Sequence, residues 1–508
     1  MKLIGIDVGT SGTRVLLIDA AGKVCGSIVR EHVQFRSPQP GWAEQDPEDW
    51  WRAAAQAIPA LLHATSTAPE EVAAIGLSGQ MHGAVLLDAA DHVLRPAIIW
   101  CDQRTDAEAE WLTTQIGAER VIALTSNPAL TNFTLTKLLW VRIHEPELWR
   151  SFRSLLLPKD YVRFRLTGEK AMDVADASGT LLLDVAHRRW SSEMLAAVDM
   201  PHSILPSLYE CHQVAGTVSA EAASLTGLRA GTPVVAGAGD QAAGALGTGI
   251  TRPGDASATI GTSGVVFAAT DQPFLDPRGR LHTFCHAIPE RWHVMGVTQA
   301  AGLSMRWFRD TFSTAEPAEG YTRLSESAAT VPAGADRLLW APYLMGERTP
   351  HLDPNARGAL VGLTPSHRAA HIIRAIMEGV AFSLKDTFTI FGEIGVPVRA
   401  IRLGGGGARS PLWRQIQADV YRQPVEILSV EEGAAYGAAL LAGVGIGVWP
   451  SADAACDSVV EVAERVAPSP VDSATLQHLY GVYRMLYPAL KPVFHDLHIA
   501  TAGVKDDD

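Results

Sequence analysis

Two carboxylates stand where the chain reverses among glycines. Asp7 ends the apolar run Leu3-Ile-Gly-Ile6 and precedes Val8-Gly9-Thr10-Ser11-Gly12-Thr13, while Asp240 follows Pro233-Val-Val-Ala-Gly237-Ala-Gly239 and precedes Gln241-Ala-Ala-Gly244. In the first, Gly9 and Gly12 predict a turn with positive φ that lets backbone approach a ligand, and Thr10, Ser11 and Thr13 supply hydroxyls and N–H groups suited to phosphate oxygens, with Asp7 facing them. A plain hairpin with a glycine-rich turn fits the same residues. In the second, a carboxylate among glycines and apolar neighbours is a candidate general base, because few protein groups compete for its lone pairs. A helix cap is the simpler alternative.

The tetrad Gly9-Thr10-Ser11-Gly12 recurs as Gly261-Thr262-Ser263-Gly264, again between apolar stretches and about half a chain later. That repeat predicts two related halves, each with a phosphate turn, and a nucleotide held in the cleft between them. In the second half, the run Val398–Leu403 opens into Gly404-Gly405-Gly406-Gly407-Ala408-Arg409-Ser410 before a helix. Consecutive glycines let a flat ring or a ribose lie against bare backbone, and the new helix aims its N–H groups at a phosphate.

Other clusters admit two readings. Gln80-Met81-His82-Gly83 follows a buried strand, where open α/β sheets bind ligands; His82 is either such a ligand group or a structural histidine. Asp102 and Arg104 read as a local salt bridge before a helix rather than as substrate contacts. Asp173, Asp176 and Ser178 read as a solvated loop, since the glycine and final glutamate of a calcium loop are missing. Glu431–Ala439 is a small-residue helix suited to close packing at a hinge, and Val504–Asp508 a frayed tail.

Length and composition narrow the class. The 508 residues suffice for two domains of ordinary size, and a net charge of −13 without a basic run disfavours nucleic acid as a partner. Five cysteines lie scattered without C-x-x-C spacing, which predicts reduced thiols and neither a disulfide framework nor a zinc site. No apolar run is long enough to span a membrane and the amino terminus reads as strand, so the expected compartment is the cytoplasm. No Gly-x-x-x-x-Gly-Lys-Ser/Thr motif occurs, so a phosphate clamp of that type is excluded, and the fingerprint of a nicotinamide oxidoreductase is absent too.

The periodicities predict a strand at 24–33, a helix from Glu48 to His63 capped by Asp46 with Trp50 and Trp51 inward, and a strand at 72–78. Helices are expected at 134–143 and 159–166. The second half carries expected strands at 256–269, 291–298 and 398–403, and helices at 299–313 and 367–390.

Taken together, these stretches resemble the FGGY carbohydrate kinases over nearly the whole chain, most closely the members that phosphorylate D-xylulose. The resemblance rests on Asp7-Val-Gly-Thr-Ser-Gly-Thr13, Gln80-Met-His-Gly83, Trp100-Cys-Asp-Gln-Arg104, Phe133-Thr-Leu-Thr-Lys137-Leu-Leu-Trp140, Leu157-Pro-Lys-Asp-Tyr161, Gly239-Asp-Gln-Ala-Ala-Gly244, Gly346-Glu-Arg-Thr-Pro350 and Gly405-Gly-Gly-Ala-Arg-Ser410. It implies an α/β fold of two actin-like ATPase (ribonuclease H-like) lobes with a ligand cleft between them. The lobes would be residues 1–248, with the sugar site and catalytic base, and 249–508, with most of the nucleotide site.

The implied activity is transfer of the ATP γ-phosphate to the 5-hydroxyl of D-xylulose in xylose catabolism. In that reading Asp240 is the base, Asp7 helps place Mg²⁺ and the phosphates, and Met81 and His82 contact the ketose. Gly9, Thr10, Ser11, Thr13, Gly261, Thr262, Gly406, Gly407 and Ala408 face the nucleotide. Gln241 and Cys101 depart from the asparagines that many such members carry. The expected partners are a small sugar and ATP with Mg²⁺, without nucleic acid or membrane, and a homodimer is compatible with the chain. The alternatives are an FGGY kinase for another ketose or a polyol, or an actin-like ATPase without sugar transfer.

Overall fold

The opening residues form a hairpin because apolar side chains fill both faces of its strands and a short polar turn joins them. In the computed structural model, which describes residues 1–312, 317–429 and 432–502, β1 (Lys2–Val8) pairs antiparallel with β2 (Gly12–Asp19), and β2 with β3 (Val24–Glu31). Helix α1 (Pro47–Ala64) starts where Asp46 accepts a hydrogen bond from the Glu48 N–H. It buries Trp50, Ala54, Ile58 and Leu61 against Ile4, Ile6, Val15 and Leu17 of the sheet. Each buried Ile, Leu or Val side chain among these contributes about 1.5–3 kcal/mol by leaving water.

Strand β4 (Val72–Gly79) lies parallel to β1 on the side away from β2. Next come α2 (Thr134–His144) and α3 (Pro158–Thr167), the latter stopped by Gly168 at φ 80°. Strands β5 (Val214–Thr217), β6 (Pro233–Val235) and β7 (Ala238–Gly239) and helix α4 (Asp240–Gly247) follow, and the sheet reads β5-β6-β4-β1-β2-β3 with β7 also on β4.

A second sheet repeats this pattern. Strand β8 (Asp255–Ile260) pairs antiparallel with β9 (Gly264–Thr270), and β10 (Trp292–Thr298) lies beyond β9. Helices α5 (Gly302–Phe312) and α6 (Ala369–Ile394) precede β11 (Ala400–Gly405), which is parallel to β8 as β4 is to β1. Helix α7 (Pro411–Tyr421) and β12 (Val425–Leu428) continue it. The shared topology is that of two actin-like α/β lobes, with the repeated Gly-Thr-Ser-Gly tetrad at the first hairpin of each. Residue 313 of the expected helix 299–313, Glu431 and Val504–Asp508 lie outside the described residues.

The chain then returns. Helix α8 (Gly433–Gly445) packs on β1, β4 and α4, and β13 (Val462–Val466) closes the second sheet. Contact is backbone to backbone: a Cβ on Gly5 would strike Ala435 O, and one on Gly76 would strike Ala438 O. The small residues therefore bury this helix inside one unit, where a hinge was expected. The compact units interleave along the sequence, one being Met1–Arg252, Ala269–His293 and Val430–Val460 and the other the remainder, so neither coincides with a simple cut at 248/249. Among the described residues, no helix is long and apolar enough to cross a membrane, and all five cysteines are free thiols.

Candidate active site

Strand β4 carries two acidic positions on its flanks. On one side its Ser78 is registered with Asp7 of β1, and on the other with Ala238 of β7, two residues before Asp240. Ser78 Oγ donates to Asp7 Oδ1 at 2.7 Å. Burial pushes the Asp7 carboxyl above its usual range, with Ser78 and Arg14 opposing that rise. Asp240 opens α4 and is only partly exposed. Desolvation, then the nearby Asp7 charge, raise it to about 7, against the opposing hydrogen bonds of Gln241. A carboxyl poised near neutrality is matched to proton abstraction at physiological pH.

Beyond β4 the chain runs into Gln80, Met81 and His82. Gln80 ties this loop to the first glycine turn, donating to Gln45 Oε1 at 2.8 Å and accepting from Thr10 Oγ1 at 3.2 Å. Met81 is buried on the backbone that leads to the base: a Cβ on Gly239 would lie 2.8 Å from Met81 Cγ. His82 has φ 70°, in the left-handed region, and its Nδ1 donates to Gly179 O at 2.7 Å. A carbonyl only accepts, so Nδ1 holds the proton in this bond. The Phe133 ring lies edge-on to it at 5.0 Å.

Behind the base stands an ion cluster that replaces the solvated loop expected at 173–178. Asp173 caps the single turn Val174–Ala177 by accepting from the Asp176 N–H at 2.9 Å. Both acids are fully buried, with Lys159 Nζ 2.5 Å from Asp173, 2.6 Å from Asp160 and 3.4 Å from Asp176. Arg163 adds a contact to Asp160 at 3.2 Å. Sequence spacing carried no sign of this, because the cation comes from α3. Asp102 and Arg104 form the local pair expected, at 2.7 Å, with Glu44 as a further partner of Arg104 at 2.8 Å.

The glycine turns differ in part from expectation. Neither Gly9 nor Gly12 has positive φ; Gly9 N–H bonds Gly12 O at 3.0 Å, and Gly12 is needed because a Cβ would lie 2.8 Å from Arg30 O. Ser11 is exposed and Thr10 partly so, but Thr13 is fully buried with its hydroxyl 2.8 Å from His32 Nε2. Thr13 is thus a brace for the turn and offers no hydroxyl to a phosphate. Trp100 was also missed: its Nε1 donates to Thr10 Oγ1 at 2.9 Å.

In the second unit Gly261 and Thr262 are exposed at their turn, and the Gly302 N–H donates to Gly261 O at 2.8 Å. Arg306 of α5 reaches Thr262 Oγ1 at 3.2 Å, placing a cation at the turn that only the fold of α5 reveals. Gly406 is exposed while Gly407 and Ala408 are buried, Gly407 against Ile260; among the four glycines 404–407 only Gly405 has positive φ, 71°. Glu347, quoted in the Gly-Glu-Arg-Thr-Pro motif, is a buried acid pushed up to about 8 by desolvation, and it accepts from the Gln299 N–H at 2.8 Å.

The sequence matches the FGGY family of carbohydrate kinases, N-terminal domain, over residues 2–247, and the C-terminal domain of that family over residues 256–446. The chain belongs to the FGGY carbohydrate kinases. This FGGY kinase is 39% identical over 489 residues to the xylulose kinase of Bacillus subtilis, covering 96% of this chain and 97% of that one. It is 43% identical over 446 residues to the xylulose kinase of Escherichia coli, covering 86% and 89%. Among solved structures, a xylulose kinase from Rhodospirillum rubrum superposes with a TM-score of 0.91 at 33% identity, covering 97% of this chain and 100% of that one. A gluconate kinase from Lactobacillus acidophilus superposes with 0.92 at 28% identity, covering 98% and 99%. Fold alone therefore does not select the sugar.

Among the described residues no three His, Cys, Asp or Glu side chains cluster as a metal site. The Asp7 carboxylate still fits Mg²⁺, a hard cation held by one or two carboxylates with the balance of its ligands from water and phosphate oxygens.

Proposed function

We propose that this FGGY kinase phosphorylates D-xylulose at its 5-hydroxyl with ATP. The observation that carries the reading is Asp240, poised at about 7 beside a second carboxylate and joined through Gly239 to the buried Met81–His82 pair. Asp240 takes the proton of the attacking hydroxyl. Met81 packs on the carbon edge of the ketose, and His82 accepts a hydroxyl hydrogen bond at Nε2. Neither side chain is a permanent cation, so the pair suits an uncharged sugar better than a sugar acid. The names of the Bacillus subtilis and Escherichia coli relatives support the same substrate.

Phosphoryl transfer asks mainly for positioning and charge neutralisation. Asp7 would hold Mg²⁺, which when bound neutralises phosphate charge. In segment 1–248, Gly9, Thr10 and Ser11 offer a turn to the nucleotide; in segment 249–508, Gly261, Thr262, Gly406, Gly407 and Ala408 do so, with Arg306 as an added cation beside Thr262. Free thiols and an ATP co-substrate favour the cytoplasm, and a homodimer is the assembly to check by light scattering.

An ATP-consumption assay across D-xylulose, D-ribulose, glycerol and gluconate tests this. D-xylulose is expected to give the highest kcat/KM, with gluconate refused. A preference for gluconate or glycerol would move the assignment to another sugar within the family, and ATP turnover without phosphorylated sugar would remove the transferase reading.

A further inference from the structure

Lys137 of α2 is fully buried, which lowers it to about 7, and its Nζ is spent on backbone. Nζ donates to His82 O at 2.8 Å and to Asn132 O at 2.8 Å, whereas the buried Lys159 meets three carboxylates. Taking a lysine amine out of water for two carbonyls, with no carboxylate bonded to it in return, costs free energy. One of them belongs to His82, whose left-handed backbone is strained for a non-glycine residue. A second donor from the same helix, Thr134 Oγ1, reaches that carbonyl at 3.1 Å. The imidazole is fixed from the other end by Gly179 O, where a Cβ would lie 2.7 Å from Nδ1 and force the ring away.

We propose that Lys137 is a positioning residue for the sugar site: with Thr134 it clamps the His82 carbonyl, keeps that residue left-handed, and so holds the imidazole in its sugar-binding orientation. The proposal rests on the reading that His82 contacts the ketose. Without the clamp the peptide relaxes toward ordinary φ and the ring leaves the sugar, while the nucleotide turns keep their geometry. The other charged groups facing Lys137 are Asp102 and Arg104, which are paired with each other.

The test is a double-mutant cycle in the full-length enzyme with Lys137→Met and His82→Ala, reading KM for D-xylulose, kcat and KM for ATP separately. Lys137→Met is expected to raise KM for D-xylulose by about ten-fold, as for one lost buried hydrogen bond, with KM for ATP unchanged. In the His82→Ala background the same change should move the sugar KM by less than about two-fold. Equal increases in both backgrounds would overturn the proposal and leave the sugar reading standing. A His82→Ala enzyme with the parent's sugar KM would overturn the sugar reading itself, and this proposal with it. Thr134→Val runs through the same cycle, so the question stays decidable if Lys137→Met does not fold; a sugar KM unmoved by Thr134→Val would overturn the clamp.

Discussion

Gly437 of α8 lies so close to the carbonyl oxygen of Ala243 in α4 that no Cβ fits between them. Helix α4 begins with Asp240, so this contact fixes the base through a neighbouring helix that sequence places almost 200 residues away. Gly437→Ala is expected to destabilise the protein by about 3 kcal/mol, because overpacking at a backbone contact must shift one helix. Thermal unfolding reads the loss, and kcat should fall with it as Asp240 moves. A variant with the parent's melting temperature would show that α4 and α8 separate freely.

Asp240→Asn should lower kcat by about 10²–10⁴-fold, the usual weight of a general base, with ATP affinity retained. In the parent, kcat/KM for the sugar should rise with pH up to about 7 and then level off, since only the deprotonated carboxylate accepts the proton. Stability carries the opposite sign. The folded carboxyl titrates above its unfolded value of 3.8, so its contribution to stability is present at low pH and is lost as pH rises through about 7. Asp240→Asn is therefore expected to be more stable than the parent at pH 8, by on the order of 1–2 kcal/mol after allowance for partial exposure, and this advantage should vanish near pH 4.

Asp7→Asn is expected to raise the Mg²⁺ concentration for half-maximal activity by roughly ten-fold or more, as the carboxylate that would hold the metal is lost. It should also move the acid limb of the pH profile below 7, because the Asp7 charge helps to raise Asp240. Unchanged magnesium dependence together with an unmoved limb would leave Asp7 a structural member of the hairpin.

Lys159→Met removes the cation from three buried carboxylates. The expected loss is about 3–5 kcal/mol, as for breaking a buried ion pair from one side. It should be larger at pH 8 than at pH 5, since burial already raises the Asp160 and Asp176 carboxyls and, once stranded, they can take up protons at the lower pH. Denaturant unfolding at the two pH values measures the difference.

The sequence by itself determined the local parts. Apolar alternation set β1, β2 and β4, Asp46 before Pro47 set the start of α1, and the repeated Gly-Thr-Ser-Gly tetrad revealed two like hairpins; each follows from side chains close in sequence. Asp7, Asp240 and the Met81–His82 pair could be named as candidates because glycines and strand ends mark them locally. Only the tertiary structure decided what those residues touch. Parallel pairing on both sides of β4 brings Asp7 and Asp240 to one strand end, and parallel neighbours come from distant segments with no local mark. The same reason hid Lys159 under Asp173, His32 on Thr13, Arg306 beside Thr262 and Lys137 on the His82 carbonyl. Burial, which raises Asp240 to about 7, is likewise a property of the packed neighbours and not of the residue.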